Sequence, residues 1–206
     1  MHRLATLPGG WTPDTDGVVM VDQTPAPMII LTAADTDIQA IASALPHFPL
    51  DFPALRVCNL LNLQQALSVD DYADQVLSQA RVIVLRLLGG RSYWPYGLEV
   101  VKELASDNPE LSLFVLPGDD RPDPELISQS TVPLNVAHQL WQYFAQGSVG
   151  NIQNALAWLS NYGLGTTFPF DPVQSVPKVG IYAPPNCSLT QSLITSKRLM
   201  PPLKNT

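Results

Sequence analysis

The chain is poor in the residues that build most metal and redox sites: its 206 residues include two cysteines and three histidines. Cys58 lies in an apolar run and Cys187 in a polar tail, so a bond between them has no disulfide framework behind it. His2, His47 and His138 are far apart, and none stands four residues from another, which excludes the helical histidine pair of a zinc site. Cations are sparse too. Eleven Lys and Arg face eighteen Asp and Glu, a net charge of -7, and this excludes a nucleic-acid backbone as partner because that affinity comes from clustered cations. No apolar run approaches the roughly 20 residues that cross a bilayer, and the N-terminus has no sustained apolar stretch of the signal-peptide kind. A cytoplasmic protein without membrane contact is expected. The phosphate-cradling Gly-x-x-x-x-Gly-Lys-Ser/Thr loop and the Gly-x-Ser-x-Gly nucleophile turn are both missing, and Gly9-Gly10 does not extend to a dinucleotide fingerprint. These absences leave no catalytic residue and no metal ligand to assign.

What is present is an apolar fraction of 46%, enough for one substantial core, and 20 prolines that cluster at loop positions and in the tail. Met28 to Leu31 followed by Asp35, Asp37, Ile38, Ile41, Ala42 and Leu45 predicts a strand, a turn and an amphipathic helix. Leu55 to Leu61 predicts a second strand, with Asp70 or Asp71 opening a helix whose inner face carries Ala73, Val76, Leu77 and Ala80. Arg81 to Leu87, apolar on both alternating faces through its middle, predicts a central parallel strand, and Leu98, Val101, Leu104 and Ala105 form the stripe of the helix after it. Leu111 to Leu116 is the fourth strand. Consecutive β/α units imply an α/β fold, a doubly wound, mostly parallel sheet of four to five strands, Rossmann-like or flavodoxin-like. A helical C-terminal extension follows, with stripes at Val136, Leu140, Trp141, Phe144 and at Ile152, Ala155, Leu156, Leu159, the first ended by Gly147. The expected organisation is a head domain over 1–162, a connector over 163–177, and from 178 a tail or the start of a second domain, with Lys178 to Tyr182 as the fifth strand.

Two loops carry the unusual chemistry. After the third strand come Gly89, Gly90, Arg91, Tyr93, Trp94 and Tyr96, in which paired glycines permit a tight turn and three amphipathic rings fall within four positions. After the fourth come Asp119, Asp120 and Arg121, followed by Asp123 and Glu125. If the two strands are parallel neighbours, both loops leave the same sheet edge and form one surface of rings, carboxylates and arginines, a candidate ligand-binding surface. A plainer reading has one or two rings covering the adjacent helix. The same reading makes Asp123-Pro124-Glu125 a helix start, weighs structure above cation binding for the acidic loop, and leaves His138 as a helix-surface or half-buried residue.

At these loops the chain resembles the N-terminal region of the large subunits of aerobic cobaltochelatases, relatives of the porphyrin-binding large subunit of magnesium chelatase. The resemblance rests on Pro8-Gly9-Gly10-Trp11, Gln23-Thr24-Pro25, Thr32 to Asp37, Val84 to Gly97, Leu116 to Leu126 and Trp141 to Phe144, and covers residues 1 to about 183. It implies a part in inserting cobalt into a corrin precursor during cobalamin synthesis, a reaction that uses ATP, Mg and Co with two smaller subunits, one an ATPase. Family large subunits are many times longer, and the groups thought to handle metal lie beyond the segment resembling Val179 to Tyr182. The expectation is therefore a truncated chain that binds no cofactor itself and does not chelate alone. Its expected partners are a tetrapyrrole or corrin precursor, other chelatase subunits or domains, and a second copy of itself. Recognition of the tetrapyrrole by the two loops is the first functional reading, docking to the chelatase body or its partner subunits the second, and a nucleotide sensor at the switch point the third.

Overall fold

The computed structural model describes residues 18–176. Strands β1 (Met28–Thr32), β2 (Leu55–Asn59), β3 (Val82–Leu87) and β4 (Ser112–Pro117) form one sheet in the order β2-β1-β3-β4, with every neighbouring pair parallel. Helices α1 (Asp35–Ala44), α2 (Ala66–Gln75) and α3 (Pro95–Asp107) make the crossovers, and α4 (Pro124–Ile127), α5 (Leu134–Gln146) and α6 (Val149–Leu164) follow β4. This order is the flavodoxin-like one of the two expected, because β1 lies beside β3. The chain leaves β1 towards β2 and leaves β3 towards β4, so the winding reverses between β1 and β3.

Period-two alternation sorts the strands between two cores. Ile29, Leu31, Ile83, Leu85, Leu113 and Val115 face α2 and α3, whereas Met28, Ile30, Val82, Val84, Phe114 and Leu116 face α1, α5 and α6. With both faces covered, all five residues of β1 and all six of β3 are buried. Each large apolar side chain so enclosed contributes about 1.5–3 kcal/mol.

The predicted stripes of α3, α5 and α6 face these cores, and Gly147 ends α5 at φ 66°. Two helices differ from expectation. The inner face of α1 is Asp37, Ile41 and Ala44, leaving Ala42 exposed. Helix α2 starts at Ala66, not at Asp70 or Asp71, since Ser68, Val69 and Tyr72 carry its buried face one turn earlier and packing outweighs the capping signal. It ends at Gln75, so Leu77 packs from a short 3-10 turn, Leu77–Gln79. Cys58 lies in this core beside Tyr72, and burial pushes its thiol up to about 11.

The edges of the sheet are covered. Along β4, the Leu113 N–H donates to Thr131 Oγ1 (2.9 Å), the Val115 N–H to Ser130 Oγ (2.8 Å), and the Thr131 N–H returns to the Leu113 carbonyl (3.0 Å). Along β2, Gln23 Nε2 donates to the Val57 carbonyl (3.1 Å) while Arg56 reaches back to Thr24. The stretch expected as a connector is bound to α6 over its described part. Gly165, left-handed at φ 69°, closes the helix, and the chain then runs back along it. Three asparagines receive it: Asn161 exchanges two bonds with the backbone of Phe168, Asn154 accepts from the Asp171 N–H, and Asn151 exchanges two bonds with Gln174. The expected strand at Lys178 to Tyr182, the tail beyond it, His2, Cys187 and the Pro8 to Trp11 motif lie outside the described residues.

Candidate functional site

Parallel pairing of β3 with β4 brings the two predicted loops together. The Gly118 N–H donates to the Leu87 carbonyl (2.8 Å), and Arg91 Nη1 pairs with Glu125 Oε1 at 3.1 Å from loop to loop. Gly89 and Gly90 have φ of 87° and 77°, the left-handed backbone that this turn needs and other residues resist. Arg91 and Glu125 are 65% and 75% exposed, so their pair is worth little energy, yet it occupies the guanidinium expected to meet a ligand. Asp123 caps α4, its Oδ1 accepting the Leu126 N–H at 2.9 Å, which is the helix-start role.

The expected single surface of rings and carboxylates divides into two. Tyr93, Trp94 and Tyr96 turn towards α2, whereas the Asp119 carbonyl accepts from Trp141 Nε1 (3.3 Å) on the α5 side. Asp119, Asp120 and Arg121 are exposed there and line no part of the aromatic site. The cause is Trp94. Its indole N–H donates to the Leu63 carbonyl at 2.6 Å, its ring is only 6% exposed, and it lies against Gly97, where a Cβ would overlap it. One ring therefore covers the first turn of α3, opened by Pro95, and draws its neighbours to the same side.

On that side lies a cleft of about 350 Å³ lined by Leu60, Gln64, Val69, Tyr93, Trp94, Pro95 and Tyr96. Its walls are apolar and aromatic, and Gln64 contributes an amide. Tyr96, 46% exposed, reaches from α3 to α2, where its hydroxyl donates to Asp70 Oδ1 at 2.6 Å. That bond to a carboxylate raises the Tyr96 pKa, and burial raises that of Tyr93.

The switch point between β1 and β3 is closed from inside. Arg86 shares a strand face with Val82 and Val84 and so points under α5, fully buried, with its guanidinium carbon 4.8 Å from the Phe144 ring centre. Arg86 Nη1 pairs with Asp37 Oδ1 (2.8 Å), Nη2 donates to the Gly118 carbonyl (3.0 Å), and Thr32 Oγ1 donates to Asp37 Oδ2 (3.0 Å). Burial lowers the Arg86 pKa, and the carboxylates of Asp37 and Asp119 oppose that shift. Ligands of this fold class bind at the carboxyl ends of the strands where the winding reverses; here that place is filled by the protein's own ion pair. Sequence reading passed over Arg86, Thr32 and the pairing role of Asp37, as well as Leu60, Gln64 and Val69 of the cleft. The signal for the first group was an arginine inside an otherwise apolar central strand, a charge that burial obliges to find a partner.

Among the described residues no group of three or more His, Cys, Asp or Glu side chains could hold a metal ion, and no helix is long and apolar enough to cross a membrane.

No protein-family model matches the chain. It is 40% identical over 190 residues to the aerobic cobaltochelatase subunit CobN of Pseudomonas aeruginosa, a match that covers 92% of this chain and 15% of that protein. It is 36% identical over 185 residues to the aerobic cobaltochelatase subunit CobN of Sinorhizobium sp., covering 89% and 14% respectively. Among solved structures, the catalytic subunit of cobaltochelatase from Mycobacterium tuberculosis is similar with a TM-score of 0.60 and 27% identity, over 78% of this chain and 12% of that one. Identity along nine tenths of its length, together with this likeness in fold, shows that the chain belongs to the family of aerobic cobaltochelatase large subunits, as a counterpart of their N-terminal region.

Proposed function

We propose that this chain serves cobalt insertion as a recognition head that docks, through the Leu60 to Tyr96 cleft, onto other parts of a cobaltochelatase. The observation that carries this reading is the cleft itself: preformed, largely apolar, with Trp94 fixed in its wall by a bond to the Leu63 carbonyl. At about 350 Å³ it has room for one or two apolar side chains and sits at the small end of ligand sites. Buried aromatic anchors of this kind dominate interface energetics. The chain spans 15% and 14% of its CobN relatives, so most of such a protein is available to meet this surface. The test is binding of the 206-residue chain to a CobN body lacking the corresponding segment, followed by sedimentation. Filling the cleft with Val69→Trp is expected to weaken binding at least tenfold; unchanged binding by a folded variant overturns the proposal.

A second reading, tetrapyrrole recognition, is favoured by the aromatic lining. A flat ring stacks well on Tyr93 and Tyr96, and the cleft would take one edge of it. Titration of the chain with a corrin precursor or a porphyrin, followed by tryptophan fluorescence, tests it. Saturable quenching is the expected result, and no change up to high micromolar ligand counts against it.

A further inference from the structure

The two helices beside the cleft carry four carboxylates that have no ion-pair partner among the described residues. Asp70 and Asp74 lie one turn apart on α2, and Glu99 and Glu103 one turn apart on α3, the helix packed beside it. Tyr96 joins the two rows. Its hydroxyl binds Asp70, Glu99 follows three residues along the same helix, and Glu103 is close enough to act on the Tyr96 ring electrostatically. Asp74, Glu99 and Glu103 are exposed, and Asp70 is half-buried. Among the described residues the ion pairs are Arg81 with Glu110, Arg86 with Asp37 and Arg91 with Glu125, so none of these four carboxylates is paired there. The nearby cations are engaged elsewhere: Lys102 binds Gln129 on the α4 side of α3, and Arg91 serves Glu125.

Resting on the docking reading, we propose that the partner is a basic polypeptide segment with one apolar anchor residue. The anchor, of leucine or phenylalanine size, enters between Leu60, Val69 and Trp94. Lysines or arginines on either side of it lie along the carboxylates of α2 and α3. An anchor alone would be indifferent to charge, and an acidic ridge alone would attract any cation weakly. Together they select by sign and by shape, with the charges steering the encounter and the cleft holding what arrives. An anionic ligand is disfavoured at the same place, since like charges facing across an interface repel.

The probes are three nine-residue peptides with capped ends: a central leucine flanked by lysines, the same leucine flanked by glutamates, and a central alanine flanked by lysines. Each is titrated into the 206-residue chain and followed by NMR at the Trp94 indole N–H and the Leu60 and Val69 methyls. The lysine-leucine peptide is expected to saturate these signals, to weaken at least tenfold between about 50 and 300 mM salt, and to bind several-fold less well to Asp70→Asn/Glu103→Gln. The other two peptides should bind at least tenfold more weakly. Equal binding of the glutamate peptide, shifts confined to residues 119–125, or no saturable binding by any peptide overturns the inference. If the Val69→Trp effect on body binding survives any of these outcomes, docking stands and only the partner's chemistry was wrong.

Discussion

Two places near the carboxyl edge of one sheet lie on its opposite faces, and they were built by opposite means. At the switch point, Arg86 and Asp37 put full charges in the driest part of the protein and consume them on each other, on Thr32 and on the Gly118 carbonyl. Around the cleft, Tyr93 and Tyr96 put apolar surface where solvent reaches it, and Trp94 is anchored by its hydrogen bond to the Leu63 carbonyl. A buried ion pair costs desolvation and pins the elements it joins, here the start of α1 to β3, with Arg86 also holding the Gly118 carbonyl just after β4. An open apolar cleft costs little while empty and has binding energy in reserve. In this chain the place where the fold class binds ligands has become structure, and the open cleft lies elsewhere, between α2 and the start of α3.

The sharpest way to break that contrast is to remove one charge. Asp37→Ala leaves Arg86 buried without its counter-ion and is expected to cost about 3–5 kcal/mol in urea unfolding. Adding Arg86→Met should recover most of the loss, because the orphaned charge goes with it. If Asp37→Ala is nearly neutral, the pair is not what closes the switch point. A middle-sized effect is expected on the other side from Gly97→Ala, whose methyl group would overlap the Trp94 ring. The cost is about 1–3 kcal/mol for overpacking, with the tryptophan emission shifting to the red as the ring is pushed out; unaltered emission would mean that Gly97 does not fix Trp94. The smallest effect belongs to Tyr96→Phe. Its bond to Asp70 is solvent-exposed, so the thermal unfolding midpoint should stay essentially where it is. A marked fall would show that the mouth of the cleft, like the switch point, is structural.

The strands were legible because a central parallel strand leaves little ambiguity: Val82 to Leu87 is apolar almost without interruption, and no other arrangement buries both its faces. The adjacency of the two loops followed from that pairing. Which way their side chains turned did not, since it depends on the Trp94 contact with Leu63, a carbonyl 31 residues away that no local pattern announces. Aromatic residues near a glycine turn have the same sequence signature whether they stack on a ligand or on their own helix. The start of α2 was misplaced for a related reason. Asp70 and Asp71 look like caps, but Asp70 accepts from Tyr96 and Asp71 from Gln75, and the helix begins where Val69 and Tyr72 find the core. The Asn151, Asn154 and Asn161 set was visible as residues and invisible as a device, because its partner is a backbone that has no side-chain signature.

The hydroxyl seal on β4 has a consequence in time. The last strand of a parallel sheet is its most vulnerable part while the chain is being made, because an unpaired edge will accept any extended segment that arrives first. Ser130 and Thr131 leave the ribosome 15 and 18 residues after the groups they satisfy, about one to four seconds at ordinary elongation rates. The groups that close the edge are thus made within seconds of the strand they protect, which shortens the time in which another segment could take their place.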